Sequence, residues 1–152
     1  MRNAGSLAAV YDRRIPSKHE RPALTERRYR RLIAVALKAR RNAHAPYSKF
    51  RVGAALLTKS GKVYTGVNVE NASYGLTNCA ERVAVGKAVS EGHRRFQAIA
   101  VAGPSRALAP CGACRQVLAE FGEMVVICAD SRNPKRVHVH LLSELLPEAF
   151  KL

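Results

Sequence analysis

The sequence contains no apolar run approaching the roughly 18–20 residues that a membrane-spanning helix needs, which excludes a bilayer span of that kind. It also lacks the apolar centre of a secretory leader, because Asp12, Arg13 and Arg14 interrupt the N-terminal stretch. Asp12, Glu20 and Glu26 argue against an organelle transit peptide, so a cytoplasmic protein is expected. Acids are scarce: 11 Asp and Glu face 26 Lys and Arg, a formal charge of +15. The imbalance is strong near the start, where residues 1–31 hold nine basic residues against three acids. Such a balance favours contact with polyanions. Aromatic residues make up only 6% of the chain and are hardly interleaved with the dispersed Arg and Lys. That argues against a base-stacking groove and for a solvated basic face, so a nucleic-acid partner is not expected. There is no internal repeat and no low-complexity tract.

What is present suits one globular domain. At 152 residues with 47% apolar content, the chain is long enough to bury a substantial core. Residues 1–23, with Pro16 and Pro22 and few periodic apolar positions, read as a basic, disordered arm, and residues 24–152 as the folded domain. Thr25 is placed to cap a helix whose apolar stripe is Leu32, Ile33, Val35, Ala36 and Ala39, and which should stop before Pro46. Residues 52–57 and 63–69 read as two strands joined by a turn at Lys59-Ser60-Gly61-Lys62. A helix over 80–89, a strand over 96–102, a helix over 112–121, strands over 124–129 and 137–141, and a short helix over 143–146 follow. The order α-β-β-α-β-α-β-β-α implies crossover connections and a partly parallel sheet covered on both faces.

Four cysteines in a chain with no sign of secretion point to metal ligation or catalysis more than to disulfides. Cys111 and Cys114 form a C-x-x-C at a predicted helix start, where three helical steps return nearly to one face and free N–H groups stabilise thiolates. Zinc in a catalytic site needs three protein ligands and an open position, and Cys79 can be the third. Cys79 and Glu81 are about 200° apart on an ideal helix. Cys79 must therefore sit at the loop–helix junction for the two side chains to converge, with Glu81 beside the metal rather than on it. A bare C-x-x-C also fits a redox pair, or a closed four-ligand site completed by Cys128 or a histidine. Cys128, however, lies in an apolar run and reads as a core thiol, and His138 and His140 alternate onto one face of a strand as surface residues.

The segments Cys79-Ala80-Glu81 and Pro110-Cys111-Gly112-Ala113-Cys114 together are far more specific than either alone. With Ala45-Pro46-Tyr47-Ser48, Phe50-Arg51-Val52-Gly53-Ala54-Ala55, the stretch from Gly66 to Gly75, Arg82, Arg115-Gln116 and Leu145-Leu146-Pro147, they make the chain from about Ala45 to Phe150 resemble the small, homotetrameric, three-cysteine cytidine deaminases. The resemblance implies a three-layer α/β/α fold with a mixed five-stranded sheet. It implies one zinc ion per subunit on Cys79, Cys111 and Cys114, with Glu81 as the acid and base of a hydrolytic deamination. It further implies that Asn68 and Glu70 hold the ribose 3′-hydroxyl, that Phe50 packs near the pyrimidine, and that backbone groups of Ala72 and Ala80 meet the base edge. Phe150 would be the C-terminal aromatic lent by a neighbouring subunit of a homotetramer.

Three thiolates leave the centre with a net charge near −1, and Arg82, hydrogen-bonded to a ligand sulfur, would draw charge from it. Arg115 is a second candidate donor. The chain departs from the family pattern at Asn78, where a small apolar residue is usual, at Val67, where a cysteine is common, and in a short 102–110 connection.

The expected activity is conversion of cytidine and deoxycytidine to uridine and deoxyuridine with release of ammonia, as in pyrimidine salvage. The rivals are a deaminase of a modified nucleoside such as blasticidin S, a polynucleotide deaminase, and a structural-zinc RNA-binding module. Asn68 and Glu70 favour a plain nucleoside over the first, the Phe150 tail suggests a closed pocket against the second, and the third has no need of Glu81.

Overall fold

The computed structural model of the protein describes residues 25–106 and 108–152; the arm expected at 1–23 lies outside the described residues. The elements in chain order are α1 (Glu26–Ala39), β1 (Gly53–Thr58), β2 (Val63–Val67), α2 (Ala80–Ser90), β3 (Phe96–Gly103), α3 (Gly112–Ala119), β4 (Val125–Asp130), β5 (Asn133–Leu141) and α4 (Leu142–Leu145), with 3-10 turns at Arg40–Asn42 and Tyr74–Leu76. This is the order expected from the sequence.

The five strands form one sheet in the order β2-β1-β3-β4-β5. β1 is antiparallel to both β2 and β3, β3 is parallel to β4, and β4 is antiparallel to β5. β2, β3 and β4 therefore run the same way, and α2 and α3 are the crossovers that return the chain between them. Only β3 and β4 are parallel and adjacent, because β1 is inserted between β2 and β3.

Alternation along the strands divides the core into two layers. Ala55, Leu57, Ala98, Ala100, Ala102, Val125, Ile127 and Ala129 pack on one face against Tyr29, Leu32, Ile33 and Ala36 of α1. Those four helix positions follow the 3.6-residue period, with Tyr29 buried where the expected stripe members Val35 and Ala39 are only partly so. The opposite face, with Ala54, Leu56, Ile99, Val101, Val126 and Cys128, packs against α2, Leu118 of α3 and Leu142 of α4. The protein is thus a three-layer α/β/α sandwich with a mixed five-stranded sheet.

Two glycines allow the helices to lie close. A Cβ on Gly53 of β1 would meet the Ala36 carbonyl oxygen at 2.2 Å, and one on Gly66 of β2 would meet the Ala80 carbonyl oxygen at 2.0 Å. Gly66, together with Ala80, Ala84 and Ala88, seats the N-terminal turn of α2 directly on the sheet.

Some boundaries differ from expectation. Thr25 occupies the N-cap of α1 but makes no side-chain cap bond. β2 ends at Val67 rather than 69, because its pairing with β1 ends at Gly53 and Val69 instead bridges His44 on one side and Asn78 on the other. β5 begins at Asn133, four residues before the expected start. Pro134, Lys135 and Arg136 disguise it as a loop, and all three are exposed on this edge strand.

Candidate metal centre and active site

α2 and α3 start at the same end of the molecule, and each begins with a cysteine at its N-cap. Cys79 has φ −73° and ψ 153°, and Cys111 has φ −65° and ψ 166°, both extended rather than helical. Cys79 is thus at the junction, as its spacing to Glu81 requires, and Glu81 is the second residue of α2. Cys114 follows within the first turn of α3 and is fully buried. The Sγ atoms of Cys79 and Cys111 are 4.0 Å apart, and those of all three cysteines lie within 4.8 Å of one another. Among the described residues, this is the group of His, Cys, Asp and Glu side chains able to hold a metal ion. Cys128 is a buried thiol on β4, pushed up to about 12 by burial, and does not belong to it. His138 and His140 also stand apart; His140 Nδ1 lies 3.9 Å from the Glu144 carboxylate.

The electrostatics of the cluster suit a cationic metal. The Cys79 thiol is lowered to about 5, chiefly by the hydrogen bond from Cys114 and further by the Arg82 guanidinium. Cys114 is raised because it gives that hydrogen bond and because it is buried. Burial pushes Glu81 up to about 7, and the negative charge of Cys79 acts in the same direction. Burial alone would weaken the Arg82 base, but the Cys79 sulfur reverses that effect and holds the guanidinium protonated.

Arg82 Nη2 donates to the Thr77 carbonyl oxygen at 2.7 Å, which fixes the loop just before Cys79. Its Nε is buried without a hydrogen-bond partner. An orphaned N–H donor beside three cysteines calls for a thiolate acceptor, and thiolates are what a bound metal would create there, so the donor set and its surroundings fit zinc.

The Val69–Asn78 bridge brings the Asn68-Val69-Glu70 segment against the residue that precedes Cys79. Asn68 Oδ1 accepts from Val52 N–H at 2.8 Å, and Asn68 Nδ2 donates to the Phe50 carbonyl oxygen at 2.9 Å. Its amide therefore fixes the Phe50–Val52 backbone and retains one further N–H. The Glu70 carboxylate accepts from the N–H groups of Tyr47 and Ser48 at 3.0 and 3.2 Å and from the Ser48 hydroxyl. These bonds, the Ser48 hydroxyl first, hold Glu70 below the usual carboxylate range. Oε1 still has a lone pair for another donor.

Phe50 is partly exposed, Ala72 is exposed, and Ala80 is fully buried at the first position of α2. Lys49, just before Phe50, has φ 59°, a left-handed turn that the Ser48 hydroxyl braces by accepting from Phe50 N–H at 3.0 Å.

Arg115 is held by two carbonyl oxygens. It donates through Nε to the Pro110 carbonyl oxygen at 2.7 Å and through Nη1 to the Leu145 carbonyl oxygen at 2.8 Å. It ties the loop before Cys111 to the end of α4. Phe150 is 69% exposed, but its backbone is fixed to Gln116 of α3. Ser48, Thr77 and Gln116 are site-building residues that sequence reasoning did not single out. Ser48 and Gln116 lie inside recognised motifs, yet their partners are backbone groups or residues distant in sequence, which no spacing reveals.

Residues 26–129 match the family described as the cytidine and deoxycytidylate deaminase zinc-binding region. A cytidine deaminase of Halalkalibacterium halodurans is 53% identical over 122 residues, 78% of this chain and 91% of that protein. A probable cytidine deaminase of Dictyostelium discoideum is 52% identical over 121 residues, 78% of this chain and 80% of that protein. The crystal structure of cytidine deaminase from Burkholderia pseudomallei superposes with a TM-score of 0.76 at 49% identity, covering 84% of this chain and all of that one. By its metal-binding cysteines, its fold and its relatives alike, the chain belongs to the cytidine and deoxycytidylate deaminase family.

Proposed function

We propose that the protein is a zinc-dependent hydrolase that converts cytidine and deoxycytidine to the corresponding uridines and ammonia, a step of pyrimidine salvage in the cytoplasm. The observation that carries this reading is the convergence of Cys79, Cys111 and Cys114 at two helix N-termini with the buried carboxyl of Glu81 beside them.

Cys79, Cys111 and Cys114 would hold the zinc, which when bound supplies a Lewis acid that lets water ionise near neutral pH. Glu81 takes the proton from the attacking water and gives it to ring N3. It then carries the second water proton to the departing amino group, so that one water is consumed and one ammonia is released. Arg82 and the N-terminal ends of α2 and α3 offset the charge of the thiolates. The remaining Asn68 N–H and the free acceptor on Glu70 suit a sugar hydroxyl, an amide donating and a carboxylate accepting. Phe50 and the backbone of Ala72 and Ala80 flank the base.

We further read the enzyme as a homotetramer with active sites at subunit interfaces. Tyr47, Val69, Tyr74 and Leu76, all exposed, surround the Phe50 and Glu70 segments, an apolar rim suited to a second copy of the chain. Phe150 would reach a neighbour's site. No helix among the described residues is long and apolar enough to cross a membrane.

Ultraviolet absorbance of purified protein with cytidine, deoxycytidine, blasticidin S and a cytosine-containing oligonucleotide tests the reading. Turnover of both nucleosides is expected. Turnover of the oligonucleotide or of blasticidin S without the nucleosides would overturn it.

A further inference from the structure

The C-terminal segment is fastened to α3 by two consecutive residues that follow a metal-binding cysteine. Arg115 donates to the Leu145 carbonyl oxygen at 2.8 Å. One residue on, Gln116 engages Phe150 in both directions: Nε2 donates to the Phe150 carbonyl oxygen at 2.9 Å, and Phe150 N–H donates to Oε1 at 3.1 Å. A primary amide facing a peptide group in this way copies the pairing of two strand residues and fixes both the position and the direction of the backbone it grips. The Phe150 ring remains 69% exposed, so the bond pair orients the residue without burying its side chain. Between the two anchors, Pro147, Glu148 and Ala149 form a turn and unpaired backbone. The Phe150 backbone, from which the ring projects, is therefore held by Gln116 rather than by local structure.

We propose that Gln116 is a positioning residue that presents Phe150 to the nucleoside site of a neighbouring subunit, and so controls substrate affinity from outside the reacting groups. The inference rests on the proposed activity and on the intersubunit placement of Phe150. The helix that donates Cys114 to one centre thus also presents the aromatic residue to the next. Cys114 and Gln116 are two residues apart on α3, so a displacement of that helix moves both.

The full-length zinc enzyme is compared with Gln116→Ala, Gln116→Met, Phe150→Ala and the double variant Gln116→Ala/Phe150→Ala. KM and kcat on cytidine, zinc per chain, oligomer mass by light scattering, and amide hydrogen exchange of the C-terminal peptide are measured. Gln116→Met keeps the volume and helix preference of the native residue and lacks both bonds. It serves as the primary variant should the alanine chain fold poorly.

Both Gln116 variants are expected to raise KM on the order of tenfold, the effect of two lost neutral hydrogen bonds. They should leave kcat within about twofold, with native zinc content and oligomer mass and faster exchange at Phe150. The double variant should match Phe150→Ala, since one residue acts through the other. Native KM in Gln116→Met, or effects of Gln116 and Phe150 that add, would overturn the proposal while leaving the deaminase reading intact. A wild-type enzyme without cytidine turnover would remove both.

Discussion

Val69 and Asn78 hydrogen-bond to each other twice, each N–H to the other's carbonyl oxygen at 2.9 Å, and this isolated bridge joins the end of the β-hairpin to the residue before Cys79. Asn68 and Glu70 flank one end of the bridge and the metal-binding helix starts at the other. Glu70→Gln keeps the shape but replaces an acceptor-only carboxylate, the acceptor for Tyr47, Ser48 and the proposed sugar hydroxyl, with an amide. We expect KM for cytidine to rise roughly tenfold, a charged hydrogen bond's share, with zinc content unchanged. Steady-state kinetics beside metal analysis checks this, and an unchanged KM would remove Glu70 from the substrate contacts.

Glu81→Gln preserves the volume of a buried side chain and cannot move a proton. Turnover should fall by about 10²–10⁴-fold, the usual range for a lost general acid–base, while the protein still binds zinc. Near-native turnover with zinc bound would show that the proton moves by another route.

Arg82→Ala leaves the Thr77 carbonyl without its donor and the thiolates without their neighbouring cation. Loss of an outer partner of this kind weakens metal affinity by about 10–100-fold. Competition with a chromogenic chelator should show that loss, and equal retention by both proteins would make Arg82 a loop brace only.

Tyr64 donates its hydroxyl to the Glu91 carboxylate at 2.7 Å and stacks obliquely on His93. Burial, helped by that carboxylate, raises its pKa from 10.0 to about 12. The folded state thus keeps the phenolic proton longer than the unfolded state does. The associated stability is complete below pH 10 and is lost as the pH rises towards 12. In an alkaline titration followed at the phenolate absorbance, a late-ionising component is expected, and Tyr64→Phe should remove it. The same late component in Tyr64→Phe as in the unaltered chain, or none in either, would contradict it.

If Phe150 serves a neighbour, two crippled chains should repair each other. Glu81→Gln chains lack the proton carrier but keep Phe150, and Phe150→Ala chains have the reverse defect. Unfolding and refolding the two together should give more activity than the sum of the separately refolded proteins. Strict additivity would place Phe150 in its own subunit's site.

Much of this was legible in the sequence, and the pattern of misses is physical. The cysteine spacing and the Cys79–Glu81 angle placed Cys79 at a helix junction because helical geometry is local. The strand and helix order followed from periodicity, which is also local. The carbonyl partners of Arg115 were not legible because a guanidinium satisfies carbonyl oxygens as readily as sulfurs, and Leu145 lies 30 positions away. The β5 start was hidden because an edge strand tolerates Pro134 and exposed charge. That β1 would lie between β2 and β3 depends on which strands meet, a long-range choice that no window of residues contains.

Neither Cys79 nor Cys111 makes the side-chain bond to its own helix that a serine, threonine or aspartate at an N-cap normally provides. Each helix therefore begins about 1 kcal/mol less securely than it might, and the sulfurs are turned towards a shared point instead. Serine at either position would trade a ligand for a cap. The fold and its chemistry thus compete for the same two residues, and the metal, by binding only the folded chain, returns more stability than the two missing caps withhold.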